Sequence, residues 1–384
     1  MVFSDYIDVQ YLDSFYDLIF YSIAAYTIGY EVNTSNSTKI HSFSLEGIDV
    51  EKFKKGALLT GLTGFLAYTY FIIKSGPLYF MGHLKGDFSV GGYIYELRFF
   101  IFSSVLLLFI LYNFKSLNKL QTLIMLFLFV YLATDAVIQQ QRGSWIRIIV
   151  ILAFGYSILK LENARNLKIG SLISDYWYYI PLLPIPMLIL TFSVHSRSYA
   201  DLGFIDQISK FMGEVTENPS IFLYGSGVNE GNEFVTAINA FQAREVSGVI
   251  DYGYKWIYPP LNFIPRALWA NKPHWNSFSI SVFDTMDNYG HIYSAPGSAE
   301  TGLIEAFYRF AWASPLFFFI FGYWNKALFN KAFEGNLHSL CIYICIYIGL
   351  FYFFTQNIFP LFIFTLYMYI PIYFTFRYAK KNIN

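Results

Sequence analysis

Apolar residues in this chain gather into long runs rather than short alternating stretches, and that pattern predicts membrane-spanning helices. A helix needs about 20 predominantly apolar residues to cross roughly 30 Å of hydrocarbon. Runs of that order lie near residues 14–30, 56–73, 93–113, 120–138, 144–160, 175–195, 301–324, 339–356 and 359–376. The expected fold is therefore an all-α polytopic membrane protein with about nine transmembrane helices, in the range of about 8–10. The first run contains Asp17 and follows no basic leader, so it reads as an uncleaved span.

The polar positions give the expected orientation. Lys and Arg concentrate in alternate loops: Lys39, Lys52, Lys54 and Lys55; Lys115 and Lys119; Lys160, Arg165 and Lys168; Lys326 and Lys331; Arg377, Lys380 and Lys381. Short cytoplasmic loops carry this excess, which places the loops at 74–92 and 139–143 and the long segment 196–300 on the opposite side. Three regions follow: six spans with short loops (1–195), one large outer loop (196–300), and three spans with a cytoplasmic tail (301–384).

Within the loop, the apolar spacing in GFIDQISKFMGE (203–214) predicts a helix lying on the membrane surface. Residues 229–247 read as a polar helix, and Tyr258-Pro259-Pro260 forces an extended or turned backbone before the chain returns to the membrane. Eleven Asp and Glu against six Lys and Arg make the segment mildly acidic, so its few cations stand out. Its dense aromatics, such as Tyr254, Trp256 and Trp269, suit either a sugar face or the headgroup layer.

Composition agrees with a membrane chain: 55% of the 384 residues are hydrophobic and only 14% are charged. A formal net charge of zero and the lack of a basic tract argue against nucleic acid as a partner. Cys341 and Cys345, four apart in an apolar run, read as small core residues rather than as a metal or redox motif, and neither a metal nor a cofactor is called for.

Charges inside or beside spans need a reason, because each costs at least about 2.5–3.5 kcal/mol at the bilayer centre. Arg98, Asp135, Arg142 and Arg147 all fall toward the outer side of the predicted topology. Snorkelling to headgroups would explain each arginine singly. Together with Arg266 they would form a diphosphate site, since guanidinium groups make forked bonds to phosphate oxygens. Arg142 and Arg147 would point about 140° apart on one helix, which favours Arg142, the one nearer water.

The return to the membrane, from NFIPRALWANKP (262–273) to ETGLIEAFYRFAW (300–312), concentrates Arg266, Lys272, Glu305 and Arg309. Glu305 and Arg309 are spaced i,i+4, so they read equally as an ion pair or as a catalytic carboxylate with a substrate-binding cation. His274 and His291 in the loop are rival bases.

This arrangement resembles the bacterial O-antigen polymerases, also called oligosaccharide repeat-unit polymerases. Pro265, Arg266, Trp269, Lys272 and Pro273 match a family stretch of Pro-Arg, Trp and Lys-Pro, and Glu305, Phe310 and Trp312 match a following Glu-containing span. Ala311 stands where the family has Gly. The motif match covers about fifty residues. The resemblance implies a metal-independent, cofactor-free glycosyltransferase of the bacterial inner membrane, with its site facing the periplasm. It would move a growing glycan from undecaprenyl diphosphate onto an incoming lipid-linked repeat unit, beside a flippase and a chain-length regulator. Glu305 would deprotonate the acceptor, while Arg266, Arg98 and Arg142 would stabilise charge on the departing diphosphate. Two alternatives stay open: an O-antigen ligase, which uses the same donor, and a transporter or flippase of polysaccharide, for which repeat halves and broken midplane helices are expected.

Overall fold

A computed structural model describes residues 9–33, 43–76, 92–138, 144–151, 204–218, 233–253, 301–355 and 358–381, with isolated positions at 192, 202, 256, 261, 264, 268, 269 and 271. Among these there is no strand, and a single antiparallel bridge pairs Ile48 with Lys380. The principal helices are α1 (Leu12–Val32), α2 (Val50–Ser75), α3 (Arg98–Asn113), α4 (Lys119–Ile138), α5 (Phe204–Glu217), α6 (Glu233–Ser247), α7 (Gly302–Phe310), α8 (Ser314–Phe333), α9 (Leu337–Thr355) and α10 (Ile358–Ala379).

Five segments among the described residues are long and apolar enough to cross a membrane: Val50–Ser75, Ile94–Asn113, Lys119–Ile138, Gly302–Ala332 and Leu337–Phe354. The protein is thus a helical membrane protein. Its outward faces support this: Leu59, Leu62, Leu66, Tyr70 and Ile73 on α2, and Leu120, Leu123, Phe127 and Val130 on α4, are exposed at helical spacing. A contiguous apolar stripe facing outward suits lipid rather than water. Residues 152–160 of the predicted span at 144–160, the predicted span at 175–195 apart from Phe192, and most of the outer loop lie outside the described residues.

The chain divides into two compact units. One comprises residues 1–39, 227–333 and 346–365, and the other 40–226, 334–345 and 366–384.

In the first unit α1 packs along α8 at very close range. A Cβ built on Gly29 would lie 2.0 Å from the Phe319 carbonyl oxygen, and one on Gly322 would lie 2.1 Å from that of Tyr26. Small residues facing backbone are how membrane helices gain dispersion contact where no hydrophobic drive separates helix from lipid. The core of this unit joins Phe15 and Leu18 of α1 to Ile238 and Phe241 of α6 and to Ile304, Phe307 and Tyr308 of α7. The stretch expected to be a polar helix is therefore largely buried: from Val235 to Phe241 every residue of α6 is enclosed.

In the second unit Gly61 and Gly64 let α2 approach α3. A Cβ at Gly64 would meet the Ile101 backbone nitrogen at 2.9 Å. Ser104 on α3 donates its hydroxyl to the Ala57 carbonyl at 2.7 Å, fixing the same contact. Cys341 and Cys345 are free thiols and fully buried, in keeping with packing roles. Helix α5 buries Phe211 against Phe192 at 5.4 Å between ring centroids and leaves Ile205, Ile208 and Met212 exposed.

Candidate functional site

Helix α7 carries Glu305 and Arg309 of the return segment. Thr301 caps it, its hydroxyl accepting from the Ile304 N–H at 3.4 Å. Gly302 follows because α7 starts against α9: a Cβ there would sit 2.3 Å from the Phe353 carbonyl oxygen. The helix ends at Ala311, where φ is 50° and ψ is −138°. This region is favourable only for Gly. Ala311 thus holds a conformation that a Gly would adopt without strain.

Glu305 and Arg309 point into the interior of this unit, with 0% and 1% of their surface exposed. The i,i+4 contact forms, Nη2 of Arg309 lying 3.7 Å from Oε1 of Glu305. The closer partner of Arg309 is Asp251, whose Oδ2 meets Nη1. Asp251 is held in turn: its N–H donates to the Tyr308 carbonyl at 3.3 Å, and its Oδ1 accepts from the Gly253 N–H at 3.0 Å. The other oxygen of Glu305 accepts from the Ile358 N–H at 2.6 Å, at the first residue of α10.

This places two carboxylates around one guanidinium. The second carboxylate is offset by the N-terminus of α10, where unpaired N–H groups and the helix dipole favour an anion. Charges enclosed this way are costly unless paired and hydrogen-bonded, and here each contact serves that end.

Helix α6 adds a cation that spacing alone did not single out. The Arg244 guanidinium lies 4.7 Å from the centroid of the Phe307 ring and 2.6 Å from Oε1 of Glu245. Phe307 also stacks on Phe241 at 4.8 Å, and Tyr308 donates its hydroxyl to the Ala240 carbonyl at 2.9 Å. Because α6 and Asp251 cover α7, the charged side chains lie beneath protein instead of opening to water at the helix entrance. The signal that could have flagged Asp251 and Arg244 is weak: a loop acid and a loop arginine whose partners are remote in sequence.

The same unit holds an apolar cavity of about 400 Å³. Its walls include Phe15, Ile23 and Tyr26 of α1 and Phe234 of α6, and Thr301 and Leu303 bring the start of α7 to it.

A second charged cluster lies in the other unit. Arg98 and Arg147 are 4% and 1% exposed, which excludes the snorkelled placement considered for each. The Arg98 guanidinium sits 3.8 Å from the Tyr95 ring centroid, and that of Arg147 lies 4.9 Å from Phe99 and 5.0 Å from Phe102. Arg147 donates to the Ser144 hydroxyl at 2.7 Å. Glu96 interacts with both arginines, and Asp135 with Arg98. The Tyr68 hydroxyl donates to Asp135 at 2.5 Å. Two cations thus meet two carboxylates, with aromatic faces supplying further cation–π attraction.

Arg98 and Arg147 are therefore brought together, as are Glu305 and Arg309. The remaining candidates, Arg142, Arg266, Lys272, His274 and His291, lie outside the described residues. Among the described residues no group of three or more His, Cys, Asp or Glu could hold a metal ion. Compared with protein-family models, curated proteins and solved structures, the chain matches none.

Proposed function

We propose that this protein is an O-antigen polymerase: a glycosyltransferase that moves a growing polysaccharide from undecaprenyl diphosphate onto an incoming lipid-linked repeat unit at the periplasmic face of a bacterial inner membrane. The proposal takes up the nine-span topology with its large periplasmic loop. The observation that carries it is the place of α7. One helix bears the motif residue Glu305 and its i,i+4 partner Arg309, and its start, at Thr301 and Leu303, lines an apolar cavity. An enzyme acting on lipid-linked sugars needs an apolar recess for a prenyl chain within reach of charged groups that act on the diphosphate and the sugar.

In this reading Arg266 contacts the departing diphosphate, Glu305 serves proton transfer, and Asp251 and Arg309 hold Glu305 in place. Neither metal nor cofactor takes part. The partners are the lipid-linked oligosaccharide and the surrounding lipids, with a flippase supplying repeat units and a chain-length regulator acting beside the enzyme.

The test is reconstitution. Purified protein supplied only with undecaprenyl-diphosphate-linked repeat units, in chelator and without nucleotide, should yield a ladder of longer glycans on electrophoresis. Absence of a ladder removes the polymerase. Transfer that occurs only when lipid A core is added identifies a ligase instead.

A further inference from the structure

The second unit contains a groove unrelated to the charged clusters, about 500 Å³ in volume. Helix α2 contributes Lys55, Leu59 and Thr63, α3 contributes Phe100, and α10 contributes Phe374 and Tyr378. Between Lys55 and Thr63 the helical rise gives the groove a length of about 12 Å. Gly56 forms its floor: a Cβ there would lie 2.9 Å from the Thr375 methyl carbon, so α2 and α10 touch beneath an open channel. Leu59, Phe374 and Tyr378 are exposed, so the channel opens along an apolar outer surface.

One end of the groove is basic. The termini of α2 and α10 are tied there, the Asp49 N–H donating to the Ala379 carbonyl at 2.7 Å and the Lys381 N–H to that of Gly47 at 3.1 Å. Six cations collect at this end, Lys52, Lys54, Lys55, Arg377, Lys380 and Lys381, against Glu46, Asp49 and Glu51. Lys52 lies 3.7 Å from Asp49 and Lys54 lies 2.7 Å from Glu51. Lys55 forms no ion pair with the described residues, and it is the lysine that lines the groove. Tyr378 stands at the same mouth with a phenol able to donate.

An apolar channel open to the outer surface, ending at a lysine without a carboxylate, is complementary to a lipid with an anionic headgroup. Basic pockets between helices at the cytoplasmic side are suited to such headgroups, and the Lys and Arg bias assigns this end to the cytoplasm. We infer that the groove is a site for one anionic glycerophospholipid, with an acyl chain between α2 and α10 and the headgroup phosphate on Lys55. The site is independent of the transfer reaction proposed above, so its failure would leave that reading untouched.

The experiment titrates purified full-length protein, in neutral detergent, with dimyristoylphosphatidylglycerol, dimyristoylphosphatidylcholine or inorganic phosphate, and counts bound lipid by native mass spectrometry. Saturable binding of one phosphatidylglycerol, with phosphatidylcholine bound more weakly and phosphate unable to compete, is the expected result. Lys55→Ala weakens phosphatidylglycerol binding about fivefold while Lys55→Arg retains it. Thr63→Trp, which fills the channel from an exposed position, abolishes binding without lowering the melting temperature in lipid-free detergent. Equal binding of both lipids, displacement by phosphate, or full binding by Lys55→Ala or by folded Thr63→Trp overturns the inference.

Discussion

Ala311 and Gly76 end their helices in the same backbone conformation, φ 50° and ψ −138° in one and φ 56° and ψ −139° in the other. Glycine holds that conformation without strain, whereas a Cβ makes it costly. Ala311→Gly should therefore stabilise the protein by about 1 kcal/mol, and Ala311→Val should destabilise it by at least as much. Thermal unfolding in detergent reads both, and a lower melting temperature for Ala311→Gly would contradict the assignment.

The ion pair of Arg309 with Asp251 differs from a surface pair in where it lies. Removing one partner of a buried pair leaves an uncompensated charge, so Asp251→Ala should cost on the order of 3 kcal/mol. Lys54 and Glu51 form a contact of 2.7 Å with the glutamate largely in solvent, and Lys54→Ala should change stability by no more than about 0.5 kcal/mol. Denaturation of both variants in mixed micelles gives the comparison. A double-mutant cycle on Asp251 and Arg309 should show a coupling of at least about 1 kcal/mol.

The spans were legible because runs of apolar residues at bilayer length have few other readings. The helices α2, α3, α4 and α9 lie close to the predicted runs at 56–73, 93–113, 120–138 and 339–356. Residues 301–324 read as one span and Gly302–Ala332 is one membrane-length segment, but the α-helix is interrupted by a short 3₁₀ turn at Ala311–Ala313 before α8. No hydrophobicity pattern announces that turn, because Ala is apolar and a good helix former.

The charged sites were legible only in part. Spacing within one helix paired Glu305 with Arg309, but the partners that complete the cluster, Asp251 and the Ile358 N–H, come from elsewhere in the chain. Residues 229–247 read as a polar helix, yet polar residues of α6 such as Thr236, Asn239 and Arg244 are enclosed. What encloses them is tertiary packing against α1 and α7, which periodicity within a single segment does not encode.

Glycines in this protein should respond to substitution with opposite signs. At Gly29 a methyl group would lie 2.0 Å from a backbone oxygen of the facing helix, so Gly29→Ala forces α1 from α8 and should cost about 1–3 kcal/mol. At Gly213, in α5, a Cβ meets nothing within 4 Å, so Gly213→Ala should gain up to about 1 kcal/mol from helix propensity alone. Melting temperatures moving in the same direction for the two variants would argue against the contact between α1 and α8.

Glu305 has two separable duties in the proposed enzyme: accepting the Ile358 N–H, and exchanging a proton with substrate. Gln keeps an acceptor oxygen for Ile358 and nearly the same shape, but has no useful basicity. Glu305→Gln should therefore fold, bind lipid-linked substrate and lose about 10²–10⁴ in turnover. Glu305→Ala strands the Ile358 N–H and takes from Arg309 one of its two carboxylates, so it should lose stability as well. The informative measurement is turnover of the folded Gln variant, with Arg309→Ala beside it. If Glu305→Gln polymerises at the wild-type rate while Glu305→Ala and Arg309→Ala both unfold, then Glu305 anchors α10 and the proton acceptor lies among other residues, with His274 and His291 next to be substituted.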